Sequence, residues 1–461
     1  MAAAATLPAS PSARAADRTQ QLLHAPLLPT LLRLATPNVI GLFAMTIQIG
    51  YDGFILGRLG HEALAGVALV LPLSMLMVQM SAGGIGGATT AAVARALGAG
   101  RAADAGQLAR HALLVGVVMA ALFMLALLGF GRTVYTAMGG RGGALDAALA
   151  YSNAMFGGAL AIWAVNVLGG IVRGAGNMVL PSAAMLGATL AHLLLCPALV
   201  FGWGPIPGLG VAGAALSLLA VNGVSALVLA GALLRPGSAV PLRARGWRIE
   251  RAAFAGILRV GLPASLSPVI SNSSIAVATA VVGSYGTVAL AGYGVAARLE
   301  YILVPIAFGF GTALTTLVAT NMGAGQTGRA LRAAWLGGGL VAAITGAIGL
   351  AVALAPGLWM DAFTADPQER AQAGVYQRID GASYGLFGLG LALFFASQGA
   401  GRMLWPLVGS LARLAVVALG GWICVGWLQA PAPAFYAVVA ASLALYAAII
   451  AGAIRFGGWT R

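Results

Sequence analysis

Eleven carboxylates serve a chain of 461 residues, and three stand where a carboxylate has little reason to be. Asp17, Glu62, Asp104, Asp146, Glu250, Asp361, Asp366 and Glu369 fall in tails, loops or interfaces and read as solvated charge. Asp52, Glu300 and Asp380 lie within or at the edge of long apolar runs. Asp52 sits about five residues inside the end of its run, roughly 7–8 Å deep at ~1.5 Å per helical residue. An ionised Asp at the centre of a membrane helix costs on the order of 2.5–3.5 kcal/mol, less toward the ends, so it turns to the bundle interior and commonly marks an ion or proton path. Gln48, one turn earlier at i−4, shares its face. The alternative is an interfacial acid bonded to a neighbouring helix. Asp380, at the outer start of its run, reads as interfacial. Arg298 and Glu300, at i and i+2, do not face each other on a helix, so each is expected to have its own partner.

The elements that must position these groups follow from composition. The chain is 60% hydrophobic and 8% charged, with a mean hydropathy of +0.94. A soluble domain carries about 25% charged residues, so a soluble enzyme is excluded and the chain reads as a polytopic membrane protein. Lysine is absent and all 25 basic residues are arginine. That removes the phosphate-binding loop of a nucleotide hydrolase and all Schiff-base chemistry. Four histidines make a multi-histidine metal site improbable, and Cys196 and Cys424 fall in apolar stretches with no disulfide framework. His61-Glu62 lacks the second histidine of a zinc protease, and the run Gly83-Gly84-Ile85-Gly86-Gly87 lacks the strand context of a nucleotide loop. No enzyme is expected and no cofactor.

Twelve apolar runs are long enough for a ~30 Å core: 31–57, 63–94, 108–131, 149–173, 178–202, 209–234, 257–283, 289–319, 330–355, 376–398, 403–427 and 433–456. None shows the short alternating pattern of a barrel. The fold class is therefore an all-α polytopic membrane protein of twelve transmembrane helices. With the amino terminus inside, Arg58, Arg132, Arg141, Arg370 and Arg378 lie outside, Arg298 and Arg413 within spans, and every other arginine inside. This positive-inside bias explains the net charge of +14 without nucleic acid and places both termini in the cytoplasm. Residues 1–30, rich in Ala, Pro and Ser, read as a disordered cytoplasmic tail.

The chain also repeats. Gly57 to Gly66 aligns with Gly283 to Gly292 at an offset of 226, and Pro37 meets Pro263 at the same offset. After a one-residue slip, Gly98-Ala99-Gly100 meets Gly323-Ala324-Gly325, and Gly174-Ala175-Gly176 with Pro181 meets Gly399-Ala400-Gly401 with Pro406. Six spans per half is even, so the halves form two pseudo-symmetric six-helix bundles in a parallel repeat, an arrangement suited to alternating access. The lobes are 31–234 and 257–461, joined by a basic cytoplasmic linker over 235–256.

These residues resemble MATE, the multidrug and toxic compound extrusion family, in its DinF-like and NorM-like bacterial branch. The resemblance rests on Asp52 to Gly60, the Gly-Ala-Gly blocks after the second and eighth spans, Arg298-Leu299-Glu300, the paired Gly-Ala-Gly…Pro motifs, and Gly208 to Ala214 before the sixth span. It covers about residues 31–456. It implies an antiporter of the bacterial inner membrane, acting as a monomer, that exports organic cations or amphipathic drugs in exchange for protons or sodium. It also implies that Asp52 couples the ion and that a bend at Pro37 answers its protonation. Arg298 and Glu300 match the eighth-span motif and are expected to pack or gate.

The chain departs from the family pattern in its fifth span, where an Asn and an Asp are replaced by His192 and Cys196 before Pro197. Sodium prefers several oxygen ligands, so the loss of two favours the proton. Histidine titrates near neutrality, which makes Asp52 with His192, and Gln48 beside them, the expected coupling set. An equal alternative is that His192 only bonds a nearby carbonyl. Positions near Ser271 and Phe387, acidic in other members, are not acidic here. Asn166, Asn272 and Tyr301 are candidates for the substrate cavity. The rival function is a flippase for lipid-linked precursors or other amphiphiles, which would favour several arginines in the cavity.

Overall fold

Apolar length alone dictates most of the architecture. The structure, a computed structural model, describes residues 11–205, 207–242 and 248–459, with the side chains of 11–15 and of Tyr301 outside the description. Residues 1–10 and the linker arginines Arg243 and Arg245 also lie outside it. Among the described residues there are eleven helices long and apolar enough to cross a membrane, or twelve when one bent pair counts as a single span. The first lobe holds α2 (Leu27–Gly57), α3 (His61–Gly98), α4 (Ala102–Ala137), the pair α5 (Gly142–Gly157) and α6 (Ala159–Gly174) bent by 46°, α7 (Val179–Phe201) and α8 (Val211–Leu234). The second holds α9 (Arg251–Gly283), α10 (Thr287–Gly323), α11 (Thr327–Leu354), α12 (Pro367–Ala400), α13 (Leu404–Trp427) and α14 (Ala432–Arg455).

Two expectations are corrected. Pro11–His24 is a helix, α1, and not a disordered tail. Its Leu22 and Leu23 are buried, and Leu22 packs toward Gly176, which gives an Ala-rich segment enough apolar surface to dock. The linker expected over 235–256 is shorter, because α9 already starts at Arg251.

The lobes meet at the end where α2 begins. Asn38 Nδ2 of α2 donates to Thr312 Oγ1 of α10 at 2.9 Å, and Gln398 Nε2 of α12 donates to the Gly83 carbonyl of α3 at 2.7 Å. Thr316 Oγ1 donates to the Arg173 carbonyl, and Arg95 Nη1 to the Gly399 carbonyl. The repeated Gly-Ala-Gly blocks lie in this seam. A Cβ on Gly98 would fall 2.0 Å from the Thr320 carbonyl oxygen, and one on Gly323 would fall 2.0 Å from that of Arg95. Only glycine lets the two helix ends cross so closely. Each block then ends its helix through a left-handed glycine, Gly100 or Gly325, both at φ +74°. The next residue donates back across the turn, Arg101 to Ala96 and Gln326 to Asn321, which satisfies carbonyls the helix end would leave free. Helix α1 lies beneath the same seam: Asn321 Nδ2 donates to the Leu22 carbonyl, and Arg329 to the Ala25 carbonyl. Toward the far end of α2, Ile47 and Phe54 are exposed.

Candidate functional site

Helix α2 runs unbroken through Pro37, whose missing N–H leaves one turn without its backbone bond. The neighbouring residue compensates by reaching outward. Asn38, 4% exposed, accepts from Ser182 Oγ of α7 at 3.0 Å while donating to Thr312 across the seam. The weakest turn of α2 is thus bonded to both lobes. Asn38 was not singled out from the sequence; its one visible signal is an amide next to a helix-interior proline.

About three to four turns further along, α2 presents Gln48, Tyr51 and Asp52 to α7. Thr189 Oγ1 donates to Gln48 Oε1 at 3.1 Å, and the Tyr51 hydroxyl donates to the Leu193 carbonyl at 2.9 Å. His192 Nε2 lies 2.6 Å from Asp52 Oδ1. His192 is fully buried, whereas the Asp52 side chain keeps 25% of its exposure. On the other side of the ring, Ser217 Oγ of α8 lies 2.9 Å from His192 Nδ1. The Cys196 thiol, one turn beyond His192, points at the same Asp52 oxygen from 3.8 Å. Tyr151 of α5 is close enough to interact electrostatically with Asp52 and Cys196.

This arrangement handles a proton without stranding a polar atom. With Nε2–H donating to the carboxylate, Nδ1 accepts from the Ser217 hydroxyl when the ring is neutral and donates to it when the ring is charged. A hydroxyl serves either role. An unpaired buried nitrogen would cost about 1–3 kcal/mol, and neither form of the ring leaves one. Ser217 and Thr189 escaped the sequence reading because single hydroxyls on wholly apolar helices carry no periodic signal.

The second lobe holds its own buried charges. Asp380 is fully buried, which corrects the interfacial assignment: α12 begins at Pro367, and thirteen residues put Asp380 about 20 Å along it. The Tyr376 hydroxyl donates to Asp380 Oδ2 at 2.8 Å, and Ser383 Oγ to Oδ1 at 3.3 Å. Glu300 interacts electrostatically with Asp380 and with Arg413 of α13. Its motif partner Arg298 points elsewhere, its guanidinium carbon 5.7 Å from the centre of the Phe363 ring. Glu300 and Arg298 therefore serve different neighbours, Glu300 interacting electrostatically with an acid and an arginine of its own lobe.

Two of the three cavity candidates have described side chains. Asn166 Nδ2 donates to Ser81 Oγ at 2.9 Å, bracing the π-helical turn Met80–Gly86 of α3. Asn272 is exposed on α9, and the Tyr301 side chain lies outside the described residues. A cavity of about 300 Å³, lined by Arg95, Arg101, Asp104, Gln107 and Glu250, lies at the seam end, away from Asp52.

A family model described as MatE matches residues 37–198 and 263–423, two segments whose starts are separated by the same 226 residues as the internal repeat. The chain is 31% identical to a probable multidrug resistance protein NorM of Deinococcus radiodurans over 411 residues, covering 85% of this chain and 87% of that one. It is 29% identical to a protein named FAD transporter of Shewanella oneidensis over 414 residues, 87% and 90% of the two chains. Among solved structures, an outward-facing multidrug resistance MATE family transporter has a TM-score of 0.86 at 24% identity, covering 95% of this chain and 98% of that one. A MATE protein in its straight conformation gives 0.87, with the same identity and coverage.

Proposed function

The chain belongs to the MatE family of membrane transporters, and from that premise we propose that it is a secondary active multidrug efflux antiporter driven by inward protons. The observation that carries this reading is the 2.6 Å bond between Asp52 and buried His192, with Ser217 behind the ring. A cation site for sodium would need more oxygen than the imidazole and thiol beside Asp52 supply. A proton needs only a donor and an acceptor that can exchange roles.

The lobes are closed at the end carrying α1, which under the positive-inside bias is the cytoplasmic end. Closure at that end is what the outward-open member of an alternating-access pair in the bacterial inner membrane requires. A proton arriving from outside reaches Asp52 through its exposed face. Protonation weakens the charge-assisted bond to His192 and alters the hold of α7 on α2. Pro37 lets α2 bend in response, and Asn38 passes that bend to α10. The cargo is an organic cation or amphipathic drug. Phosphorylated cargo, such as the flavin nucleotide named for the Shewanella relative, would call for free arginines at mid-depth. Arg413 lies where it interacts electrostatically with Glu300 and Asp380.

The test is efflux of ethidium from proteoliposomes under an imposed proton or sodium gradient, with wild type beside Asp52→Asn. Proton-driven efflux that disappears in the variant supports the proposal; sodium-driven efflux overturns the choice of ion. Failure of either gradient to move the dye in folded, oriented protein brings the amphiphile flippase forward.

A further inference from the structure

The proton relay leaves one buried group unused. Cys196 is fully buried, and its thiol is aimed at Asp52 Oδ1, which already has His192 as its partner. Three ligand atoms, the His192 Nε2, the Cys196 sulfur and an Asp52 oxygen, lie within 4.8 Å of one another. The geometry points to a second use of this cluster: Asp52, His192 and Cys196 bind one thiophilic divalent transition cation of the Zn²⁺ class, in place of the proton shared by Asp52 and His192.

The donor set selects the ion. One nitrogen, one thiolate sulfur and one carboxylate oxygen suit Zn²⁺ and its neighbours and are poor ligands for Na⁺, Mg²⁺ or Ca²⁺. Ligand atoms around a tetrahedral Zn²⁺ lie roughly 3.2–3.6 Å apart, given bonds of about 2.0–2.3 Å. The separations from Asp52 Oδ1, 2.6 and 3.8 Å, bracket that range and the third is within 4.8 Å, so shifts of about 1 Å complete the site. Ser217 supplies what a metal-bound histidine needs on its far nitrogen, an oxygen to accept Nδ1–H and fix the ring. The exposed face of Asp52 gives the ion an entry path and leaves a fourth position for water. Binding releases protons: when the ring starts as imidazolium, one leaves the Cys196 thiol and one leaves Nε2, with Nδ1–H retained on Ser217, and when it starts neutral only the thiol proton leaves, the ring proton moving from Nε2 to Nδ1. The inference shares residues with the antiporter reading but needs neither its driver nor its cargo.

Co²⁺ added to the purified full chain is the probe. One equivalent should give a near-ultraviolet thiolate-to-cobalt charge-transfer band and intense visible bands of a four-coordinate ion, both erased by Zn²⁺. The bands persist in Cys424→Ser, the charge-transfer band is lost in Cys196→Ser, and Ser217→Ala weakens binding about 10- to 100-fold. No charge-transfer band in wild type, or one that survives Cys196→Ser, overturns the assignment. Should Cys196→Ser not be recovered as monodisperse protein, calorimetry of Zn²⁺ with Asp52→Asn decides: undiminished affinity sinks the site. These readouts are independent of transport, so a failed metal site leaves the antiporter standing and a failed antiporter leaves the metal site standing.

Discussion

His192 and Asp52, 140 residues apart in the chain, share a hydrogen bond of 2.6 Å that joins α7 to α2. The bond ties a buried imidazole to a carboxylate still in reach of solvent, on the helix that also carries Pro37. A hydrogen bond to a charged group contributes about 1.5–3 kcal/mol, or roughly 10- to 150-fold in an equilibrium between two states. Replacing Asp52 with Asn is expected to abolish proton-driven efflux. His192→Gln, which keeps a hydrogen-bonding side chain, is expected to lower it by an amount within that range. Initial rates in proteoliposomes check both, and wild-type rates in Asp52→Asn would refute the assignment.

Closure of the seam should depend on Gly98 and Gly323. Either glycine changed to Leu drives a side chain into the partner helix's backbone. Overpacking of this kind costs about 1–3 kcal/mol, enough to shift a two-state population about 5- to 150-fold. Spin labels at Ala103 and Gly328, at the seam ends of α4 and α11, should report a longer distance in Gly98→Leu or Gly323→Leu than in wild type. A control such as Gly129→Leu, where a Cβ meets nothing within 4 Å, should leave the distance unchanged.

Helix α1 should strengthen the same closure. It is bonded to Asn321 and Arg329 of the second lobe and packs by Leu22 toward Gly176 of the first. Leu22→Ala removes a buried apolar side chain at a cost of about 2–5 kcal/mol. The label pair should again separate, and protease should cut within Pro11–His24 faster than in wild type.

The second-lobe cluster predicts an order of stabilities. Arg413→Leu removes the cation that interacts electrostatically with Glu300 and with buried Asp380, leaving the two acids near each other. Asp380→Asn keeps an acceptor for Tyr376 and should cost less. Thermal unfolding in detergent should therefore rank wild type above Asp380→Asn above Arg413→Leu.

What was legible in the sequence was what depends on length and order. Span counts follow from apolar length, and the repeat showed through residues that backbone geometry restricts, such as the Gly-Ala-Gly blocks. Asp52 and His192 could be paired because the family resemblance set His192 at a coupling position of the fifth span, with a nearby carbonyl as the equal alternative. Orientation within a wholly apolar helix was not legible, since a helix that is hydrophobic all round encodes no inner face. That is why Asp380 read as interfacial and why Asn38, Ser217 and Arg413 passed unremarked as partners. Helix α1 was missed because alanine and serine look like tail composition until Leu22 has a surface to meet.

The crossing of α3 and α10 carries one more implication. Gly98 rests on Thr320 and Gly323 rests on Arg95, and Gly98 stands to Gly323 in the repeat as Arg95 stands to Thr320. Position i meets the copy of j while j meets the copy of i, which is the signature of a self-complementary two-fold interface between identical subunits. The seam has the form of a homodimer contact written inside one polypeptide, so a half-length ancestor would have needed only one glycine to form both sides of it.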